Sequence, residues 1–313
     1  MIYAEQLSRM YDAHMAVENL SFHVQRGEVM GLLGPNGAGK STTMKMLACF
    51  LPPSSGNATI AGLDIADDLA VRRHVGYLPE HAPSYVDLTV QGHLQFIGRM
   101  HGLPPGTLAD RIKDMAGACG LEHVLMRRID ELSKGYRQRV GLAASMLHDP
   151  DCLILDEPTT GLDPNQVIEI RHLIRRLGKE KTVLLSSHVL SEVEAVCDRM
   201  MIIDAGKLQV IGTREELVHK AQGGLILHVR LCGDAEAVMQ YVQKSLPDTV
   251  SEITSTHGDE TQLVFKHVDA KAAVAAQVFH GAVAHAAVLL EMKAEETSLE
   301  DVFCKITGGH ISC

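Results

Sequence analysis

The sequence predicts an α/β fold, a largely parallel sheet with packed helices and a helical insertion, followed by a small α+β domain. Three observations lead there. Up to about residue 220 short apolar runs alternate with amphipathic stretches, the pattern breaks at Gln222-Gly223-Gly224, and a second series of strands and helices follows. A chain of 313 residues suffices for one large domain and one smaller one.

The clearest strands of the first part are Val29–Leu33, Val75–Leu78, Cys152–Leu155, 183–186 and 200–204. The first three run directly into polar or glycine-rich segments, and ligand sites in α/β sheets lie outside the carboxyl ends of strands. Residues 81–125, mostly helical and punctuated by Pro83, Pro104-Pro105 and several glycines, read as the start of a helical insertion extending to about residue 145. Residues 214–221 read as a helix before the break. Beyond it the series is strand 225–231, helix 234–246, strands 250–255 and 261–266, helix 270–280, strand 286–293 and helix 298–307. That order resembles a split βαββαβ, ferredoxin-like unit with a helical tail. The expected division is therefore 1–222 and 223–313.

Composition removes several function classes. Lys+Arg 29 against Asp+Glu 39 gives a net charge of −10, so the basic footprint of a nucleic-acid binder is missing. Trp is absent and aromatic residues are 4%, which disfavours base stacking on aromatic platforms. No stretch approaches the roughly 18–20 apolar residues that cross a bilayer, and Met1-Ile2-Tyr3-Ala4-Glu5 lacks the start of a signal peptide. A cytosolic chain without direct membrane insertion is expected. The seven cysteines are scattered without a C-x-x-C pair and read as reduced core filler, and the seventeen histidines fit no ligand spacing.

Gly34-Pro35-Asn36-Gly37-Ala38-Gly39-Lys40-Ser41 satisfies G-x-x-x-x-G-K-[ST] between the apolar run 28–33 and the helix-like run 42–47. Gly34, Gly37 and Gly39 let the loop curl so that backbone N–H groups, with those of Asn36 and Thr42, face phosphate oxygens, and the following helix adds the positive end of its dipole. Lys40 would reach the β- and γ-phosphates and Ser41 would ligate Mg²⁺. Because Lys40 follows the last glycine directly and G-x-G-x-x-G is not satisfied, a dinucleotide fold is set aside. The strand Cys152–Leu155 ends in Asp156-Glu157; in a P-loop fold Asp156 would hold Mg²⁺ through water and Glu157 would face the water that attacks the γ-phosphate.

Between these elements, Leu132-Ser133-Lys134-Gly135-Tyr136-Arg137-Gln138-Arg139 resembles the L-S-G-G-Q signature of ATP-binding-cassette (ABC) ATPases, with Lys134 and Tyr136 departing from the commonest form. Ser133 and Gly135 at a helix start make a natural second anion site. The resemblance extends to Tyr11 as the aromatic residue stacking on adenine, to Gly161-Leu162-Asp163 as the D-loop and to Ser187-His188 as the switch histidine at the γ-phosphate. Where the family carries glutamine after the strand Val75–Leu78, this chain has Glu80, which keeps an oxygen for Mg²⁺ but cannot donate a hydrogen bond when ionised. Tyr77-Leu78-Pro79-Glu80 and Leu299-Glu300-Asp301-Val302-Phe303 are similar to an exporter-type branch related to antibiotic-resistance and gliding-motility ATPases.

This resemblance implies an ATPase subunit of a membrane exporter, on the cytoplasmic face of the membrane, using ATP and Mg²⁺. Each ATP would be held by Lys40, Ser41 and Asp156 of one copy and capped by Ser133 and Gly135 of a second, so a homodimer is implied. A separate multi-span permease would dock in the groove beside Glu80 and the helical insertion, with Tyr85, Leu88 and Val90 at the contact. Two alternatives stand beside it: a soluble cassette ATPase of the translation or DNA-repair type, and a regulatory scaffold, which Glu157 and His188 argue against.

Overall fold

The computed structural model describes residues 1–220, 225–267, 271–295 and 299–307. In chain order the first part forms β1 (Ile2–Tyr11), β2 (His14–Val24), β3 (Val29–Leu33), α1 (Lys40–Leu47), β4 (Ser55–Ile60), β5 (Leu63–Asp64), α2 (Asp68–Arg72) and β6 (Val75–Leu78). It continues with α3 (Val90–Met100), α4 (Pro105–Cys119), α5 (Lys134–Met146), β7 (Cys152–Leu155), α6 (Pro164–Gly178), β8 (Thr182–Ser187), α7 (Leu190–Glu194), β9 (Arg199–Asp204) and β10 (Lys207–Gly212). The rest is α8 (Arg214–Lys220), β11 (Leu225–Cys232), α9 (Ala235–Ser245), β12 (Val250–His257), β13 (Glu260–His267), α10 (Lys271–Ala284), β14 (Val288–Glu295) and α11 (Leu299–Ile306). Among the described residues no helix is long and apolar enough to cross a membrane.

The chain divides into two compact units, Met1–Thr213 and Arg214–Cys313. In the first, the uninterrupted apolar runs become a six-stranded sheet in the order β10-β9-β3-β8-β7-β6, parallel except for the β9–β10 hairpin. Every residue of β3, β7 and β8 is buried, as strands covered on both faces require. Three of these strands end at the loops that carry the glycine-rich motif, Asp156-Glu157 and His188. Helices α3, α4 and α5 pack on one another, and α5 lies against β6.

A four-stranded antiparallel sheet, β2-β1-β4-β5, was not legible in the strand and helix alternation expected from residue 1. Its long β1–β2 hairpin has several register shifts, and Gln6, Asp12 and Asn19 take left-handed φ values of 49°, 47° and 49°. These interruptions break the period-2 pattern. Ile2, Leu7 and Leu20 of this sheet, Met30 and Leu32 of β3, and Met44 and Leu47 of α1 are all fully buried in one core. Each such side chain contributes about 1.5–3 kcal/mol on burial, so a charged residue at Met44 would separate α1 from both sheets.

The boundary falls after Thr213, earlier than the glycine pair suggests. Helix α8 contacts α11, and Leu217 and Leu299 are fully buried, so α8 belongs with the second unit. That unit has an antiparallel sheet in the order β12-β13-β11-β14, the arrangement of a split βαββαβ unit. Its core joins Leu227, Val229 and Phe265 of the sheet to Val238 of α9 and Val274 and Val278 of α10.

Val90 is fully buried and cannot meet a partner as expected. It is the first residue of α3, behind the N-cap Thr89, and its N–H donates to Arg127 O at 3.0 Å. Tyr85 and Leu88 are exposed.

Candidate functional site

The loop Gly34–Gly39 leaves the end of β3 and enters α1 at Lys40. Gly37 and Gly39 have φ of 82° and 100°, conformations that glycine adopts without a Cβ penalty. A Cβ at Gly39 would also lie 2.5 Å from Ala16 O. At the same point Glu18 N–H donates to Gly206 O at 2.8 Å and Gly206 N–H donates to Ala38 O at 3.1 Å. Main chain from β2, the loop and the β9–β10 turn thus meets in one junction.

Lys40 is buried, and its Nζ donates to Gly34 O at 2.8 Å and Pro35 O at 3.2 Å. Burial lowers its pKa, opposed by the charges of Glu157, Asp156 and Glu80. Ser41 Oγ donates to Asp156 Oδ1 at 3.2 Å. Asp156 and Glu157 lie just past β7, both buried. Glu157 Oε1 is 3.7 Å from Lys40 Nζ, while Oε2 accepts from Thr160 Oγ1 at 3.1 Å and from His188 Nδ1 at 2.8 Å. A carboxylate can only accept there, so Nδ1 is the donor in this contact. The loop bearing His188 is fixed by Glu192 of α7, whose Oε2 accepts from Ser187 Oγ at 3.0 Å and also from Thr159 Oγ1.

Lys40, Ser41, Asp156, Glu157 and His188 are thereby brought together. Glu80 is exposed after β6, close enough for its charge to act on Lys40. The other expected residues sit apart from this cluster. Exposed Ser133 caps α5, its Oγ accepting from Tyr136 N–H at 3.4 Å. Gly135 is buried, and a Cβ there would lie 2.3 Å from Gln166 Oε1. Asp163 caps α6, its Oδ1 accepting from Gln166 N–H at 2.9 Å, so Gln166 connects the signature to the D-loop. Tyr11 is 41% exposed at the end of β1, with the Arg9 guanidinium 4.9 Å above its ring. Asn36 and Gly37 are exposed on the loop and Thr42 is half-buried on α1. Among the described residues no hydrogen bond or ion pair joins Ser133, Gly135 or Tyr11 to the Lys40 cluster.

Sequence reasoning missed Thr160, Ser186 and Gln166. Their only signal was a hydroxyl or amide beside a strong motif, as with Ser186, which follows the apolar run Val183-Leu184-Leu185 of β8. A groove of about 480 Å³ lies beyond β6, lined by Phe50, Tyr77, Ile97, Met100 and His148, with Arg72 at its edge.

The family model described as "ABC transporter" matches residues 17–160. The linearmycin resistance ATP-binding protein LnrL of Bacillus subtilis is 33% identical over 314 residues, spanning 98% of each chain. The Nod factor export ATP-binding protein I of Ralstonia nicotianae is 34% identical over 310 residues, covering 97% of this chain and 92% of that one. A solved structure titled "Structure of ATP binding subunit of ABC transporter" superposes with a TM-score of 0.64 at 32% identity, over 70% of this chain and 92% of that chain.

Proposed function

Because the chain belongs to the family of ABC transporter ATP-binding proteins, we propose that it is the ATP-hydrolysing subunit of an exporter, acting as a homodimer on a separate membrane-spanning partner at the cytoplasmic face. It is an ATPase of the cassette type. The observation that carries the site assignment is the convergence of Lys40, Ser41, Asp156, Glu157 and His188 beyond the ends of β3, β7 and β8. The export and resistance named for two relatives support the direction of transport.

In this reading the loop amides of Gly34–Gly39 and the Lys40 ammonium hold the phosphates, and Lys40 exchanges its carbonyl contacts for phosphate oxygens. Ser41 Oγ and Asp156 Oδ1 offer two hard oxygens 3.2 Å apart, a donor set that suits Mg²⁺, which takes one or two protein oxygens and completes its shell with phosphate and water. Bound there, Mg²⁺ would neutralise charge on the β- and γ-phosphates. Glu80 supplies a further carboxylate on the metal side. Thr160 and His188 hold Glu157 by Oε2, which leaves Oε1 to orient a water and take its proton as phosphate is released. Tyr11 presents its exposed ring to the base. Ser133 and Gly135, apart from the Lys40 cluster, cap the nucleotide of a second copy together with Asp163. The groove beyond β6, with Tyr85 and Leu88 nearby, receives the membrane partner.

Purified chain should release phosphate from ATP only with Mg²⁺, and tagged chain extracted from membranes should bring a multi-span protein with it. A chain that binds ATP without hydrolysing it, and that captures no membrane protein, would overturn the proposal.

A further inference from the structure

One buried hydroxyl touches the carboxylate of Asp156 and the backbone amide of Glu157 and has no role in the proposed function. Leu155 of β7 pairs with Leu185 of β8, so the next residues along the two strands, Asp156 and Ser186, lie side by side. Ser186 is fully buried. Its Oγ donates to Asp156 Oδ1 at 2.6 Å and accepts from the backbone N–H of Glu157 at 2.9 Å. A serine hydroxyl has a single proton, and because the Glu157 N–H is itself a donor, that proton is committed to Asp156. Ser187 points the other way, to Glu192, as strand alternation requires.

Both consequences bear on the reaction. Asp156 Oδ1 receives Ser41 and Ser186 together, which fixes the plane of the carboxylate assigned to the metal side. Glu157 has φ of 49°, a region that non-glycine residues seldom occupy, and its amide is held there by Ser186. We propose that Ser186 is a positioning residue for hydrolysis: one hydroxyl sets the direction of Asp156 and, through the amide of Glu157, the place of the carboxylate that handles water. The inference rests on the assignment of ATP hydrolysis to this site.

Valine and threonine have nearly the same shape and differ by the hydroxyl, so comparing Ser186→Thr with Ser186→Val separates the hydrogen bonds from packing, and Ser186→Ala removes the hydroxyl without adding a methyl. In Ser186→Ala and Ser186→Val, kcat should fall roughly tenfold or more, the scale of a lost hydrogen bond to a charged group, while KM and the affinity for ATP measured without Mg²⁺ stay within about twofold. Ser186→Thr should recover most of the turnover lost in Ser186→Val. Wild-type turnover in Ser186→Ala would overturn the inference, as would a fall in kcat matched by equal losses of ATP affinity and melting temperature. Equal turnover in the threonine and valine variants would also overturn it. The wild-type chain serves as the internal control, since failure to hydrolyse ATP would remove the hydrolytic reading itself, whereas a wild-type rate with an indifferent Ser186 would remove only this role.

Discussion

The ammonium of Lys40 lies 3.7 Å from Glu157 Oε1, with both side chains buried. Removing the negative charge of Glu157 takes away one anion that competes with phosphate for Lys40, while glutamine keeps the size and an acceptor oxygen. Glu157→Gln should lower phosphate release by about 10²-fold or more and leave ATP affinity equal or tighter, accumulating an ATP-bound dimer visible by size exclusion. Lys40→Ala should weaken ATP binding by roughly tenfold or more and form no such dimer. Undiminished turnover in Glu157→Gln would remove that residue from the reaction.

His101 and His148 stack with ring centroids 3.9 Å apart and planes 3° from parallel. Burial lowers both pKa values, that of His148 from 6.5 to about 4, helped by the neighbouring His101. His148 Nε2 also lies 3.0 Å from Val75 O, and Lys181 and Arg111 add positive charge nearby. Between those two pH values the unfolded chain binds more protons than the folded one. The contribution of His148 to stability is thus complete above about 6.5 and is lost as the pH falls through about 4. Urea titrations at about pH 7 and about pH 5 should show a drop in midpoint that is smaller in His148→Gln than in the wild type. An unchanged drop would place the acid sensitivity elsewhere.

Glu80 acts on Lys40 through its charge and is exposed to solvent. Since glutamine and glutamate both offer an oxygen to Mg²⁺, Glu80→Gln should keep basal hydrolysis within a few-fold, with Glu80→Ala doing more harm to the Mg²⁺ dependence. If the alanine variant keeps a normal Mg²⁺ dependence and normal stimulation by the membrane partner, Glu80 is a surface carboxylate without a part in the site.

Truncation probes the division of the chain. A chain ending at Thr213 should fold and bind ATP, because the core around β3 and α1 draws only on residues up to Ile211. Ending after Gln222 keeps α8 but removes α11, leaving Leu217 without that helix, so this longer fragment should be the less soluble of the two. Aggregation of the shorter fragment without ATP binding would show that residues 214–313 complete the catalytic fold.

The parallel sheet was legible because β3, β6, β7, β8 and β9 are short, nearly continuous apolar runs, and a motif at a strand end has few places to go. The second unit was legible for a related reason: β11 alternates from Leu227 to Leu231 and α9 carries an apolar stripe. The β1–β2 hairpin was not, since its bulges and left-handed residues erase the alternation by which a strand is recognised. Val90 reads as a surface valine beside Leu88 until the Thr89 cap turns it inward. In the site, Lys40 and Asp156 announce themselves by motif, whereas Ser186 and Thr160 act through single hydroxyls that leave no periodic trace.

The junction of Ala16, Ala38, Gly39 and Gly206 is made mostly of main-chain atoms. It ties the hairpin that carries Tyr11 to the glycine-rich loop Gly34–Gly39, and peptide geometry does not depend on which side chains are attached to it. In the proposed reading, the span from a stacked base to its triphosphate would therefore be gauged by a backbone ruler. Exposed side chains of β2, such as His14 and Met15, could then change without altering that span, whereas a methyl group added at position 39 would meet Ala16 O.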